Sequence, residues 1–369
     1  MGMPEPALRR PAVSVIVPAR NEEDCLAACL QSLLSQDGVD FEILVVDDHS
    51  TDRTREIAGA FPGVKIVDPG PLPPGWSGKN NAVTAGARAA RAEWLLFTDA
   101  DTVHLPASLA RALAEARERR VALLSYSPEQ DVRTLWEKAI MPVIFAELAS
   151  TYRPAEVSDP NSPAAAANGQ YILIDRTAYN AVGGHAAVAG DLLEDVALAR
   201  AVKQSGRPIF FRLGTGLVRT RMYRTFAQLC DGWTKNLVLL FRHPAALAAK
   251  RAFEFVILVG SVATVLVAIA LSPAPAWTLI PLALAAVSWA LFLKRILRAH
   301  FAWDATALAV LGLPLFSWLL LRSKRKHEQG RVSWKGRLYG GAAQAGSPHG
   351  TTPTAPQAVT QRHDLRSVP

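Results

Sequence analysis

Carboxylates recur in this 369-residue chain at the points where apolar runs stop. Asp99-Ala100-Asp101 closes the run Trp94–Thr98 in the stretch EWLLFTDADT, and Asp47-Asp48 closes FEILVV. Glu194-Asp195 lies at the start of LLEDVALARAVKQ, and Lys79 begins an Ala-rich stretch after a Pro/Gly loop. Two carboxylates spaced i, i+2 where a chain leaves a sheet can turn towards one ion. Hard cations such as Mg²⁺ take oxygen ligands and commonly hold phosphates against one or two protein carboxylates. A lysine in a first helical turn is disfavoured by the helix dipole but well placed beside a phosphate. A metal for phosphates, a nearby cation and an acceptor for base or ribose are what a nucleoside diphosphate needs. On these residues alone a second reading stays open. Asp favours turns and N-caps, and acidic residues near a helix start are stabilised by the dipole.

The elements that would position these groups can be read in order. Val13–Val17 is a β-branched strand stopped by Pro18, followed by a helical pattern to about Ser35. Phe41–Val46 is a second strand; Ser50-Thr51-Asp52 then supplies cap chemistry for a helix through Ala60. Val64–Val67 is a strand, Gly78–Ala92 a helix, Trp94–Thr98 a strand buried on both faces, and Pro106–Arg119 a helix before Val121–Tyr126. Strands alternating with helices at this spacing predict a doubly wound, mostly parallel α/β sheet. Ligands bind such sheets at the carboxyl ends of their strands, where Asp47 and Asp99 fall. Leu135–Ser150 has helical spacing with Trp, Met and Phe on one side, and reads as a helix on a membrane surface in slight preference to a core-facing one. A polar loop over Pro154–Pro163, a strand at Tyr171–Ile174, a helix over Leu192–Gln204, strands at Ile209–Leu213 and Leu217–Tyr223 and a helix across Phe226–Phe241 follow. His104 and His185 read as hydrogen-bonded structural groups.

Beyond residue 242 the character changes. Up to Phe241 the chain holds 25 Lys and Arg against 28 Asp and Glu; from Arg242 on it holds 15 against 4. The overall charge of +8 therefore belongs to the part that carries the long apolar runs. Basic residues beside apolar spans mark a cytoplasmic membrane face and not a nucleic-acid binder. Helices over about 253–271 and 276–293 each approach the roughly 20 residues that cross a bilayer. Arg242, Lys250 and Arg251 before them, with Lys294, Arg295 and Arg298 after them, predict a hairpin with both flanks in the cytoplasm. A third run at about 305–321 would place Arg322-Ser323-Lys324-Arg325-Lys326 outside if it crossed. With Gly312 and Pro314 inside it, it reads as a re-entrant or interfacial element that returns Trp334-Lys335-Gly336-Arg337 to the cytoplasm. Residues 1–11 read as a disordered lead-in, with no stretch long enough for a signal-peptide core, and 340–369 as a disordered tail. The expected organisation is a catalytic domain over 12–241 and a membrane region over 242–339. Cys25, Cys29 and Cys230 form no disulfide or zinc framework.

VSVIVPARNEE, DDHSTDRT, GWSGKNNA, FTDADT, the NGQYILIDRTAYNAVGG block, LLEDVALARAVKQSG and MYRTFAQLCDGWTKN follow one another in that order. Together they resemble a family 2 glycosyltransferase of the GT-A fold over about Val13 to Asn236. The membrane segments and WKGRLY are consistent beyond it. The resemblance is nearest to membrane-anchored bacterial members that glycosylate lipids of hopanoid or carotenoid type, with ceramide glucosyltransferase more distant. It implies a Rossmann-like GT-A domain followed by membrane helices, at the cytoplasmic face of the inner membrane. It implies that Pro18, Ala19, Glu22 and Asp47 line a nucleoside pocket, that Asp99 touches the donor and that Asp101 binds Mg²⁺ or Mn²⁺. Asp195, paired with Glu194, would be the general base, and Lys79 would face the phosphates or donor sugar. The donor would be a UDP- or GDP-sugar and the acceptor lipid-like, with inversion at the anomeric carbon.

One departure bears on this expectation. The QxxRW motif of processive synthases is absent as such; FAQLCDGWTKN stands in its place, with Gly232 where that motif has Arg. This weighs against a polysaccharide synthase, and against a non-catalytic nucleotide-sugar binder stand the intact acidic sites. It leaves Arg221, Arg224 and Lys235 as candidate diphosphate contacts, and Tyr171 and Trp233 as packing or acceptor-lining residues.

Overall fold

The computed structural model describes residues 10–271, 275–335 and 337–339. The expected tail and most of the expected lead-in lie outside them. β1 (Val13–Ala19) is buried almost throughout and pairs in parallel with β2 (Phe41–Asp47) and with β4 (Trp94–Phe97). Between them run α1 (Leu26–Leu34), α2 (Thr54–Gly59), β3 (Val64–Val67) and α3 (Gly78–Ala89). β5 (Thr102–His104), α4 (Ser108–Glu118), β6 (Leu123–Ser127) and β7 (Glu129–Gln130) follow, then α5 (Leu135–Thr151), α6 (Pro154–Ser158), β8 (Ile172–Asp175) and α7 (Arg176–Ala181). α8 (Glu194–Gln204), β9 (Ile209–Leu213), β10 (Val218–Thr220) and α9 (Phe226–Leu240) complete the part before the long apolar helices.

The main sheet has the order β3-β2-β1-β4-β8-β6-β9. It is mostly parallel, as expected, but β8 runs antiparallel to both β4 and β6. That reversal matters for chemistry. It sets Phe97, the last residue of β4, against Ile172, the first of β8. The residues leaving β4 therefore meet those entering β8 at one sheet end. A second small sheet, β5-β10-β7, continues from that end. Apolar side chains of α1 and α4 (Leu26, Leu30, Leu109) cover one face and those of α3 and α8 (Val83, Leu198, Val202) the other, which is why the central strands are apolar on both sides.

α10 (Pro244–Leu271), α11 (Pro275–Ile296) and α12 (Trp303–Glu328) are each long and apolar enough to cross a membrane. They differ in cover: 6 % of the most apolar window is buried in α10 and 17 % in the second span, against 50 % in α12. A short hairpin, β11 (Val332–Trp334) and β12 (Arg337–Tyr339), follows.

Three expectations change. α5 is no surface helix: Ile140, Met141, Val143, Ile144 and Ala146 are buried against α9 and α12. Its apolar residues surround the helix because neighbours cover it on several sides. The run at 305–321 is not interrupted at Gly312 and Pro314 but lies inside one unbroken helix. Gly312 serves contact instead, since a Cβ there would fall 2.0 Å from the carbonyl oxygen of Ala139. Residues 154–158, expected as loop, form α6 with Pro at its first turn.

Candidate active site

Lys79 enters the site on the first turn of α3. Ser77 caps that helix, accepting the amide of Asn80 at 3.1 Å. The Asn80 side chain donates to the carbonyls of Val188, Ala189 and Asp191, at 2.9, 2.9 and 3.2 Å. The start of α3 is thereby tied to the loop that leads into α8. Lys79 Nζ then reaches Asp99 Oδ1 and Glu194 Oε1, each at 2.8 Å. Burial works against its charge, yet Asp99 and Glu194 hold the ammonium protonated well above the usual lysine range. Burial likewise opposes ionisation of Glu194, but Lys79 and then Lys235 keep that carboxyl below its usual range.

Asp195 is held differently. Its carboxylate accepts the amides of Gly169 at 2.9 Å and of Val196 at 2.8 Å, and among the described residues it forms no ion pair. Burial, then the charge of Glu194, push it up to about 6. Gly169 is placed by an Asx turn in which Asn168 accepts the amide of Gln170 at 3.0 Å. Gln170 in turn donates to Asp101 Oδ1 at 3.4 Å and to Thr220 Oγ1 at 3.1 Å, while Thr220 donates to the Asp101 carbonyl at 3.1 Å. Burial, then the charges of Asp99 and Glu22, push Asp101 up to about 7, with Lys335 and Lys79 partly offsetting them. A carboxyl crowded in this way is short of positive charge.

One cavity of about 1050 Å³ joins these groups. Pro18, Ala19, Glu22 and Asp48, beside β1 and β2, line it. Lys79, Asp99, Asp101, Glu194 and Asp195 line it too. So do the apolar side chains of Phe145, Leu148, Tyr152, Met222, Trp233 and Leu240, with Arg298 and His300 from the link between α11 and α12. Lys235 lines the same cavity; burial pulls its pKa down, and the carboxylates of Glu194, Asp99 and Asp195 act against that.

Most expected residues therefore converge, and two do not. Asp47 is spent on structure: it accepts the amide of Ser50 at 3.2 Å and faces Arg55 at 3.3 Å, while its neighbour Asp48 lines the cavity. Alternation along β2 explains the exchange, because adjacent residues point to opposite sides. Tyr171 is fully buried, packed between Tyr126 and His104 with its hydroxyl towards the Ser108 carbonyl, and is a core residue. Arg221 and Arg224 line the cavity but are engaged, Arg221 with Glu137 at 3.1 Å and Arg224 with the carbonyl of Asp24 at 2.8 Å. Trp233 is 2 % exposed, and its indole nitrogen is without a hydrogen-bond partner. His104 and His185 are the structural groups expected: burial pushes them down to about 3 and about 4, against Thr98 and Tyr179. The motif reading missed Asp48, Gly169 and Gln170, although Asn168-Gly169-Gln170 opens a block it had singled out.

A mostly parallel sheet with carboxylates at the mouths of β2 and β4, and an acidic pair facing them from α8, defines a GT-A-like domain, here followed by three apolar helices. Residues 14–183 match the model of glycosyl transferase family 2. A 4,4'-diaponeurosporenoate glycosyltransferase of Staphylococcus haemolyticus is 31 % identical over 233 residues, covering 62 % of this chain and 61 % of that protein. The protein of the same name from Staphylococcus aureus is 28 % identical over 343 residues, 89 % of this chain and 88 % of the relative. Among solved structures, a mannosyltransferase from Pyrobaculum calidifontis in complex with GDP-Man and Mn²⁺ is 18 % identical, with a TM-score of 0.46 over 86 % of this chain and 87 % of that one.

Proposed function

We propose that this protein moves a single sugar from a nucleotide-sugar donor to a lipid acceptor of the carotenoid class, with inversion at the anomeric carbon, at the cytoplasmic face of the membrane. The continuous cavity carries this reading: polar residues beside β1 and β2, the carboxylates and a group of apolar side chains from α5 and α9 all line it, and we read that apolar group as an arm for the acceptor. Such a shape suits a substrate pair that is charged at one end and greasy at the other. The relatives named for a carotenoid acid support the acceptor class.

The donor would lie with its nucleoside between β1 and Asp48 and its diphosphate near Asp101. Among the described residues no three His, Cys, Asp or Glu side chains converge on one point as a closed metal cage. The donor set fits a hard cation shared with phosphates, because such ions need only one or two protein carboxylates. Asp101, with Asp99 beside it, would hold Mg²⁺ or Mn²⁺, which when bound would offset charge on the departing diphosphate. Lys79, fixed by Asp99 and Glu194, presents a permanent cation to the donor. Asp195 forms no ion pair among the described residues and titrates close to neutrality, which is where a general base works best. It would take the proton of an acceptor hydroxyl as that oxygen attacks from the apolar arm. Glu194 keeps Lys79 in place and raises the basicity of Asp195.

Packing supports one membrane arrangement. α10 and α11 expose most of their apolar surface and would cross as a hairpin. α12 pairs Asp304 at its start with Lys138 of α5, at 2.6 Å, and His327 at its end with the carbonyl of Lys235, at 2.9 Å. A helix with both ends on the catalytic domain would lie along the membrane surface.

Purified full-length protein should be incubated with Mn²⁺, a panel of UDP- and GDP-sugars, and carotenoid alcohols and acids, with products read by mass spectrometry. One added hexose is the expected product. A polymer ladder, or no transfer from any donor to any lipid, would overturn the reading.

A further inference from the structure

The hairpin after α12 reaches the part of the cavity that Glu22 and Asp48 line, far in sequence from the stretch that matches family 2. Its β11 and β12 pair with Trp334 opposite Arg337, so Lys335 sits at the tip. Lys335 Nζ forms an ion pair with Glu22 and donates to the carbonyl of Arg20 at 3.1 Å. Arg20 returns the contact, donating to the Lys335 carbonyl at 3.3 Å. The Arg337 guanidinium forks onto both oxygens of Asp48, with Nη2 3.0 Å from Oδ1. Both cations line the cavity that holds Lys79, Asp99 and Asp101.

Arg337 also lies across the first turn of α3. A Cβ on Gly78 would fall 1.5 Å from Arg337 Nη1, so any side chain there would displace the guanidinium from this position. A cation over a helix start is opposed by the dipole, and helix stability gives no reason to put one there. The same place suits an anion, which would meet Arg337, Lys335 and Lys79 together. A planar guanidinium matches phosphate oxygens as well as it matches a carboxylate.

We propose that Lys335 and Arg337 are donor-binding residues: the hairpin supplies two cations to the diphosphate of the nucleotide sugar, and Glu22 and Asp48 hold them in register when the donor is absent. This rests on the nucleotide-sugar reading of the cavity and assigns the diphosphate a partner set from outside the stretch that matches family 2.

The test uses full-length protein in nanodiscs, titrated with UDP and GDP in the presence of Mn²⁺ by calorimetry. Uridine and guanosine are followed by ligand-observed NMR. The Lys335→Ala and Arg337→Ala variants should each bind the preferred diphosphate about tenfold more weakly, with the matching nucleoside unaffected. The Arg337→Lys variant should recover part of the loss, since charge returns without the fork. Unchanged diphosphate affinity in both alanine variants would overturn the inference and leave the hairpin a latch. Equal loss for nucleoside and diphosphate would overturn it too, because the hairpin would then only hold the pocket walls. If the wild-type protein binds neither UDP nor GDP, the nucleotide-sugar reading itself falls, a result distinct from the other two.

Discussion

Asp195 and Asp101 are both raised by burial, but the second cause differs, and so do the expected consequences. Beside Asp195 the like charge is Glu194, already neutralised by Lys79; beside Asp101 it is Asp99 and Glu22, in a place that invites a cation. Replacing Asp195 with Asn keeps an oxygen for the amide of Gly169 but removes the base. Transfer to a hydroxyl acceptor should fall by about 10²–10⁴-fold in kcat. Transfer to a carboxylic acid acceptor, which is already ionised at neutral pH, should survive, so the variant also identifies the acceptor group. In the wild type, kcat towards an alcohol should rise with pH up to about 6 and then level, as Asp195 loses its proton. The stability sign is the reverse. A carboxyl whose pKa is raised on folding favours the native state while protonated, and that contribution is lost as pH rises from the usual carboxylate range through about 6. At pH 7.5 the Asp195→Asn variant should therefore unfold at higher temperature than the wild type, by something on the order of 1–2 kcal/mol in stability. Asp101→Ala should instead abolish the dependence of donor binding on Mn²⁺, visible in a UDP titration with and without the metal. An unaltered metal dependence would move the metal site elsewhere.

At the scale of elements, the helical layer should be more sensitive than the sheet motifs suggest. Glu147 of α5 accepts Arg251 at 3.1 Å and Arg295 at 2.6 Å, and both arginines also bind Glu254, at 2.9 and 2.7 Å. This closed ring joins α5, α10 and α11, and Glu147 and Arg251 are almost fully buried. Glu147→Ala leaves two arginines sharing Glu254 alone, with one buried positive charge uncompensated, and should cost about 3–5 kcal/mol, read as a lower unfolding temperature in detergent. The Glu147→Leu, Arg251→Leu pair should regain much of the loss; if it does not, the ring is not the source. Gly312→Val should push α12 away from α5, with a penalty of about 1–3 kcal/mol or more, because its Cβ would meet backbone that cannot yield. The parallel strands were legible because β1, β2 and β4 are apolar runs of strand length ending in acidic residues, and α3 and α8 begin with recognisable polar groups. The direction of β8 was not, since Tyr171–Ile174 is apolar whichever way it runs. Nor was the choice between Asp47 and Asp48, which depends on which face of β2 looks into the cavity. α5 was misread as a surface helix because an apolar pattern reports burial without naming what buries it. Ion pairs such as Lys335 with Glu22 span 313 residues and leave no local trace.

For the whole molecule, the decisive quantity is where the chain stands after each long helix. The tip of the β11–β12 hairpin touches Glu22 and Arg20, so the end of α12 lies on the same side as the part of the cavity that Glu22 and Asp48 line. The start of α12 lies on that side too, through Asp304 and Lys138. An odd number of crossings would separate the two, so these contacts favour our proposal that α12 does not cross. The basic residues around the helices agree: Lys250, Arg251, Lys294, Arg295 and Arg298 flank the pair α10 and α11, and Lys324, Arg325 and Lys326 end α12. Two crossings joined near Leu271, with α12 on the surface, satisfy both the packing and the charge bias. Single cysteines at Leu271, Trp303 and Arg331, in a chain whose Cys25, Cys29 and Cys230 are replaced by Ser or Ala, make this measurable in intact bacterial cells. A membrane-impermeant maleimide should label Leu271→Cys from outside, and Trp303→Cys and Arg331→Cys only after the inner membrane is opened. Labelling of Arg331→Cys from outside would mean that α12 crosses the membrane. The hairpin could then not reach Glu22 and Asp48, and the diphosphate would need another source of positive charge.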